Sequence, residues 1–191
     1  MHNIGLFFGS FNPVHVGHMI IATWAVEQTD LDSVWFVVSP HNPLKAKESL
    51  LSGRHRFEMV NRAIGDDLRF RANDIEFNLS QPSYTAHTLV HLQQKFPDKT
   101  FTLLMGGDNL ASFPKWKNYQ AILDAHQILV YSRPSSDRLE LLHHPNVTLL
   151  EAPALHISSS LIRGMLAEGK DVRHFMPFEA WKYLDEMNFY K

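Results

Sequence analysis

Two histidines three residues apart, His15 and His18, close the stretch Gly9-Ser10-Phe11-Asn12-Pro13-Val14-His15-Val16-Gly17-His18. At that spacing, on the entrance to a helix, both imidazoles can face one ligand. The stretch follows the apolar run Ile4-Gly5-Leu6-Phe7-Phe8 and precedes Met19-Ile20-Ile21-Ala22-Thr23-Trp24-Ala25-Val26, so the order is strand, loop, helix. Such a layout offers a phosphate free backbone N–H groups and the positive end of a helix. Gly9 and Gly17 predict a close approach of backbone to ligand, and Pro13 stiffens the turn. The chemistry indicated is binding of a nucleotide phosphate. A His-x-x-His pair can also hold zinc, which usually takes three or four protein ligands. The chain has no cysteine, and the glycines would have no task in a zinc site. No protein-held metal is expected.

Further polar clusters fall at the ends of predicted strands. Pro40-His41-Asn42-Pro43-Leu44-Lys45 delivers one cation, and Gly106-Gly107-Asp108-Asn109 a glycine pair with a carboxylate suited to ribose hydroxyls. Later come Trp116 and the run Ile157-Ser158-Ser159-Ser160-Leu161-Ile162-Arg163. Three hydroxyls opening a helix, with an arginine on its first turn, make a second anion site. Each has a plainer reading: Lys45 as a solvated loop residue, Ser158 as a helix N-cap, Trp116 as a core aromatic, Arg163 as a surface residue.

The elements that must position these residues alternate along the chain. Strands are predicted at Asn3–Phe8, Val34–Ser39, Leu68–Ala72 with Ile75–Phe77, Thr100–Met105, Gln127–Ser132 and Val147–Glu151. Helices are predicted at Gly17–Gln28, Gly53–Ile64, Tyr84–Lys95 (with Ser83 as its cap), Asn118–Asp124, Ser159–Ala167 and Pro177–Met187. Alternation of this kind implies parallel strands with right-handed crossovers, hence an open, mostly parallel α/β sheet flanked by helices. Ligands of such sheets bind beyond the carboxyl ends of the strands, where the strand order reverses. The residues from Ile157 onward read as a small C-terminal helical cap. Gly53–Ile64, with Arg54, Arg56 and Met59, reads as scaffold.

The 191 residues suit one domain with a full core. Apolar residues make up 45% and charged ones 20%, with a formal net charge of −2, and no basic run marks a nucleic-acid partner. No apolar run approaches the ~20 residues of a membrane span, and no secretory leader pattern opens the chain. The cytoplasm is the expected compartment.

The chain resembles the bacterial nicotinate-mononucleotide adenylyltransferases, within the HxGH nucleotidyltransferase superfamily. Gly9–His18 and Ile157–Arg163 are similar to the superfamily motifs. Pro82-Ser83-Tyr84-Thr85-Ala86-His87-Thr88-Leu89 and Asp108–Tyr119 are similar to segments that mark the nicotinate branch. The resemblance spans essentially the whole chain and implies a Rossmann-like sheet in a single nucleotidyltransferase domain, 1–191. It implies transfer of AMP from ATP to nicotinate mononucleotide in NAD biosynthesis, with Mg²⁺ accompanying the ATP. A homo-oligomer is compatible with it.

By the same resemblance, His15, His18, Lys45 and Arg163 are the catalytic set, with His18 nearest the α-phosphate. ATP would also meet Gly9, Ser10, Phe11, Asp108, Ile157, Ser158 and Ser160. The mononucleotide would meet Asn42, Lys45, Tyr84, Thr85, Asp108 and Trp116. Tyr84 and Thr85 open a predicted helix, whose free N–H groups favour the nicotinate carboxylate, and Trp116 can stack on the pyridine. Three positions depart from the family pattern: Phe8 stands where glycine is common, Asn12 where aspartate is, and Ser160 where threonine is. The rivals are enzymes of the superfamily acting on nicotinamide mononucleotide or phosphopantetheine, and a non-catalytic nucleotide sensor on the same fold.

Overall fold

The structure is a computed structural model and describes residues 2–40, 50–131 and 140–191. Asn42 and Lys45 lie outside the described residues. Six strands form one sheet: β1 (His2–Gly9), β2 (Ser33–Val38), β3 (Phe70–Asn73), β4 (Lys99–Gly106), β5 (Ile128–Tyr131) and β6 (Val147–Leu150). Their order is β3-β2-β1-β4-β5-β6, and every pairing is parallel. The chain builds outward from β1 to β3, then returns to the other side of β1 to lay down β4. The strand order therefore reverses between β1 and β4, and a crevice opens beyond their carboxyl ends.

Strands buried on both faces need apolar side chains at successive positions, and these strands have them. Along β2, Val34, Phe36 and Val38 enter one core, while Trp35 and Val37 enter the other. The first core is closed by α1 (Val16–Gln28), α2 (Gly53–Ile64), α6 (Ser159–Ala167) and α7 (Phe178–Glu186), through Ala22, Ala25, Met59, Val60, Ile162, Leu166, Ala180 and Leu184. The second is closed by α3 (Thr85–Lys95), α4 (Gly107–Ser112) and α5 (Tyr119–Ala125), through Leu89, Leu92, Leu110, Ile122 and Leu123. The C-terminal cap is thus α6 and α7, laid on the same face as α1 and α2. No helix among the described residues is long and apolar enough to cross a membrane.

Three local expectations fail. Ile75–Phe77 is not strand but part of a 3-10 turn, Ile75–Asn78. The side-chain oxygen of Asn73 accepts the Ile75 N–H at 2.9 Å, giving the backbone a local partner in place of the sheet ladder. Leu68 is 96% exposed and precedes β3 rather than opening it. Ser83 does not cap α3; Tyr84 is the N-cap residue, and its side chain makes no capping hydrogen bond. The short helix α4 lacked a periodic signal, its six residues being too few to show one.

Candidate active site

The first turn grows out of β1, whose last residue, Gly9, is in register with Val38 of β2. Phe8 does not divert the strand; its ring packs partly buried against the second core. Phe11 follows in a left-handed conformation, φ 45°, with its ring buried. A Cβ on Gly9 would lie 2.8 Å from the tip of that ring. On the far side of the turn, the imidazoles of His15 and His18 stack with centroids 3.7 Å apart. A Cβ on Gly17 would come 3.0 Å from His15 Nδ1. The space on the Cβ side of these glycines is taken by the chain's own rings.

His15 is buried and His18 half-buried, with the rings of Phe7 and Phe11 set edge-on against His18. The His15 N–H donates to Nδ1 of His18 at 3.2 Å. With Nδ1 accepting, the neutral imidazole carries its proton on Nε2. His18 is thereby set as a hydrogen-bond donor on its outer edge.

The serine–arginine segment is 151 positions away in sequence and meets this turn directly. Arg163 donates to the Asn12 carbonyl at 2.7 Å and reaches Ser160 Oγ at 3.4 Å. Ser159, the middle hydroxyl, donates to the Pro13 carbonyl at 2.8 Å. Ser158 caps α6 by accepting the Leu161 N–H at 3.1 Å, so its plainer reading as an N-cap holds in the geometry. Ile157 is half-buried against the first core, whereas Ser158 and Ser160 are exposed.

Arg56 braces the turn from beneath. It has no solvent exposure and donates to four carbonyls: Leu51 at 2.8 Å, Ser10 at 2.5 Å, Ser39 at 2.8 Å and Pro40 at 3.0 Å. Burial lowers its pKa to about 10, outweighing a smaller upward pull from Tyr190, so it remains a cation at neutral pH. The expectation that this helix is scaffold is met, but one of its residues holds the turn's backbone. That Ser159, Arg56 and the side chain of Asn12 hold the turn was not read from the sequence; most of their partners lie far along the chain, where no spacing rule reaches.

Across the crevice, β4 ends at Gly106 and α4 begins with Gly107 and the exposed Asp108. A Cβ on Gly106 would sit 2.5 Å from Asp108 Oδ1 and 3.2 Å from the Tyr131 ring, so a larger residue there would displace the Asp108 carboxylate. Asp108 thus stands at the end of the strand paired with β1. Beyond it, the Lys117 ammonium lies 4.5 Å from the centre of the Tyr84 ring, which brings the Tyr84–Thr85 helix start and the Trp116 segment together. Trp116 is half-buried on Phe113, centroids 5.3 Å apart, and its buried indole N–H has no hydrogen-bond partner among the described residues.

Glu76, a further residue the sequence did not single out, lies under this end of the crevice and is only 2% exposed. The Thr88 hydroxyl donates to it at 2.8 Å. Burial raises its pKa, and bonds from Thr88, Ser39 and Ser83 oppose that rise without cancelling it.

Residues 6–165 match the cytidylyltransferase-like family. A Flavobacterium psychrophilum protein described as a "Probable nicotinate-nucleotide adenylyltransferase" is 50% identical over 190 residues, 98% of each chain. One from Bacteroides fragilis with the same description is 45% identical over 180 residues, covering 93% of this chain and 89% of the relative. Among solved structures, the Plasmodium falciparum nicotinic acid mononucleotide adenylyltransferase complexed with NaAD superposes with a TM-score of 0.83 at 20% identity, over 100% of this chain and 98% of that one. That likeness extends the fold comparison well past recognisable sequence. Through its close relatives and its crevice at the β1/β4 reversal, the chain belongs to the nicotinate-nucleotide adenylyltransferases of the cytidylyltransferase-like family.

Proposed function

We propose that this crevice transfers the adenylyl group of ATP to the 5′-phosphate of nicotinate mononucleotide, with residues 1–191 acting as one unit. The bond between an acceptor phosphate oxygen and the α-phosphorus forms as the bond from that phosphorus to the β-phosphate bridge breaks. Nicotinate adenine dinucleotide and pyrophosphate result. The acceptor oxygen is already anionic at neutral pH, so no side-chain nucleophile and no strong base are required. The work is to hold two polyanions in line and to offset charge as pyrophosphate departs.

The observation that carries this reading is the junction of the two distant motifs, Arg163 on the Asn12 carbonyl and Ser159 on the Pro13 carbonyl. It supports one anion site framed by the first turn and the start of α6. His18, with its proton on Nε2, would donate to the α-phosphate. His15, stacked against it, would fix its plane and contact the same tail. Arg163, Ser160 and Lys45 would draw the β- and γ-phosphates away, while the backbone of Gly9, Ser10 and Phe11 lines the loop. Ser158 and Ile157 would border the same tail.

On the acceptor side, the N-terminus of α3 at Tyr84 and Thr85, whose N-cap side chain makes no capping bond, suits the nicotinate carboxylate. Trp116 would stack on the pyridine, and Asn42 and Asp108 would take ribose or phosphate groups. No group of three or more potential metal-binding side chains occurs among the described residues. Mg²⁺ would enter as part of the substrate, MgATP, and Asp108 is the carboxylate that would help hold it. When bound it would offset triphosphate charge.

The test is pyrophosphate release from ATP with nicotinate mononucleotide, nicotinamide mononucleotide and phosphopantetheine offered in turn. Release with the first, and kcat/KM for the amide lower by roughly 10-fold or more, is expected. A preference for the amide or for phosphopantetheine would replace this reading, and nucleotide binding without release would favour a sensor.

A further inference from the structure

The chain's last turn reaches the phosphate loop. After α7, Asn188 and Tyr190 both adopt left-handed backbone, with φ 53° and 63°. Between them, Phe189 packs on the rings of His55 and Tyr183 at 4.8 and 5.8 Å. Side-chained residues in that region persist where surrounding contacts over-determine them. The contact they deliver is the Tyr190 hydroxyl on Asn12 Oδ1, at 2.5 Å and across 178 positions of sequence. The same oxygen accepts the Leu51 N–H at 3.2 Å, and the backbone carbonyl of the same residue receives Arg163. Asn12 is therefore pinned by its side chain while its carbonyl aims the arginine.

The electrostatics favour this use of the phenol. The cations of Arg163 and Arg56 both act on Tyr190 and would favour its ionised form, but burial outweighs them and raises its pKa. The hydroxyl keeps its proton and so remains a donor, matched to the acceptor Oδ1.

We propose that Tyr190 is a positioning residue for ATP: by holding the side chain of Asn12, it fixes the carbonyl that orients Arg163 toward the triphosphate. The inference rests on the reading of this crevice as a triphosphate site and deepens it. Tyr190 touches no substrate; it acts through Asn12.

The experiment measures binding of a non-hydrolysable ATP analogue by calorimetry, steady-state KM for both substrates, and melting temperature. Tyr190→Phe, which removes only the hydroxyl, should weaken the analogue about fivefold, as expected for loss of one net hydrogen bond. KM for nicotinate mononucleotide should stay unchanged. In an Arg163→Met background the same substitution should have no further effect on the analogue, because the group it orients is gone. Unchanged analogue affinity in Tyr190→Phe would overturn the proposal. So would an equal rise in both KM values with a fallen melting temperature, which would mark a purely structural contact, or full additivity with Arg163→Met. Failure of the unaltered protein to bind the analogue at all would instead overturn the triphosphate reading beneath it.

Discussion

The backbone N–H of His15 donates to Nδ1 of His18 at 3.2 Å, which makes that ring nitrogen an acceptor. The inner nitrogen is spent on the helix entrance, leaving the outer nitrogen as donor. Asparagine at this position can imitate the inner acceptor and glutamine the outer donor. His18→Ala should lower kcat by about 10²–10³, the usual size for a donor that meets developing charge. His18→Asn should lose kcat to a similar degree while keeping its melting temperature. His18→Gln should retain more turnover but lose about 1 kcal/mol of stability with the cap. Paired kinetics and thermal melts decide this, and a His18→Asn variant with full kcat would remove His18 from the reaction.

Trp116→Ala should raise KM for the mononucleotide roughly tenfold and leave KM for ATP in place, since stacking adds about 0.5–1.5 kcal/mol beyond the area covered. Trp116→Phe should recover much of that loss, because a phenyl face remains. An effect on ATP alone would assign the ring to the other substrate.

Arg56→Met should be strongly destabilising although the residue is fully buried and methionine is apolar. Four backbone carbonyls lose their donor, and buried acceptors left unsatisfied cost about 1–3 kcal/mol each. Even with partial relaxation, a loss of about 3 kcal/mol is expected, equivalent to a fall in Tm of roughly 6–12 °C for a chain this size. Thermal unfolding of the purified variant tests it, and a shift under a degree would mean that the turn stands without its brace.

Glu76 makes stability depend on pH in a direction opposite to that of a salt-bridged carboxylate. Its pKa in the folded state lies above the ordinary 4.5, chiefly through burial, so the folded chain holds this proton more tightly than the unfolded one. The contribution is full below the ordinary value and is lost as pH climbs through the raised one. Glu76→Gln keeps an oxygen for the Thr88 hydroxyl and removes the titration. The Tm difference, variant minus parent, should therefore rise as pH increases from 4.5 and reach zero or above at neutral pH. A difference that falls over that range would mean the carboxylate is stabilised by charge.

The first turn was legible in the sequence because its signal is local: two histidines, two glycines and a flanking strand and helix within one short stretch. The strands were legible too, as brief apolar runs, since each is covered on both faces. Ile75–Phe77 was misread because apolar residues beside a strand look alike whether the backbone continues or turns. The turn was decided by one Asn73 side chain taking a neighbouring N–H. Ser83 was misjudged for a related reason, as a hydroxyl one residue early does not reach the helix start.

By its residue types and their spacing alone, the chain determined a parallel α/β sheet, the histidine and serine–arginine helix starts, and the family they mark. Tertiary structure decided how those parts are held: Arg163 and Tyr190 on the two oxygens of Asn12, Arg56 on four carbonyls, Glu76 beneath α3. Periodicity and motif spacing report which face of an element is buried and which loop follows it. They carry nothing about a hydrogen bond whose partner is a backbone atom or side chain 46 to 178 positions away, since any residue supplies a carbonyl and only the folded path brings it within reach.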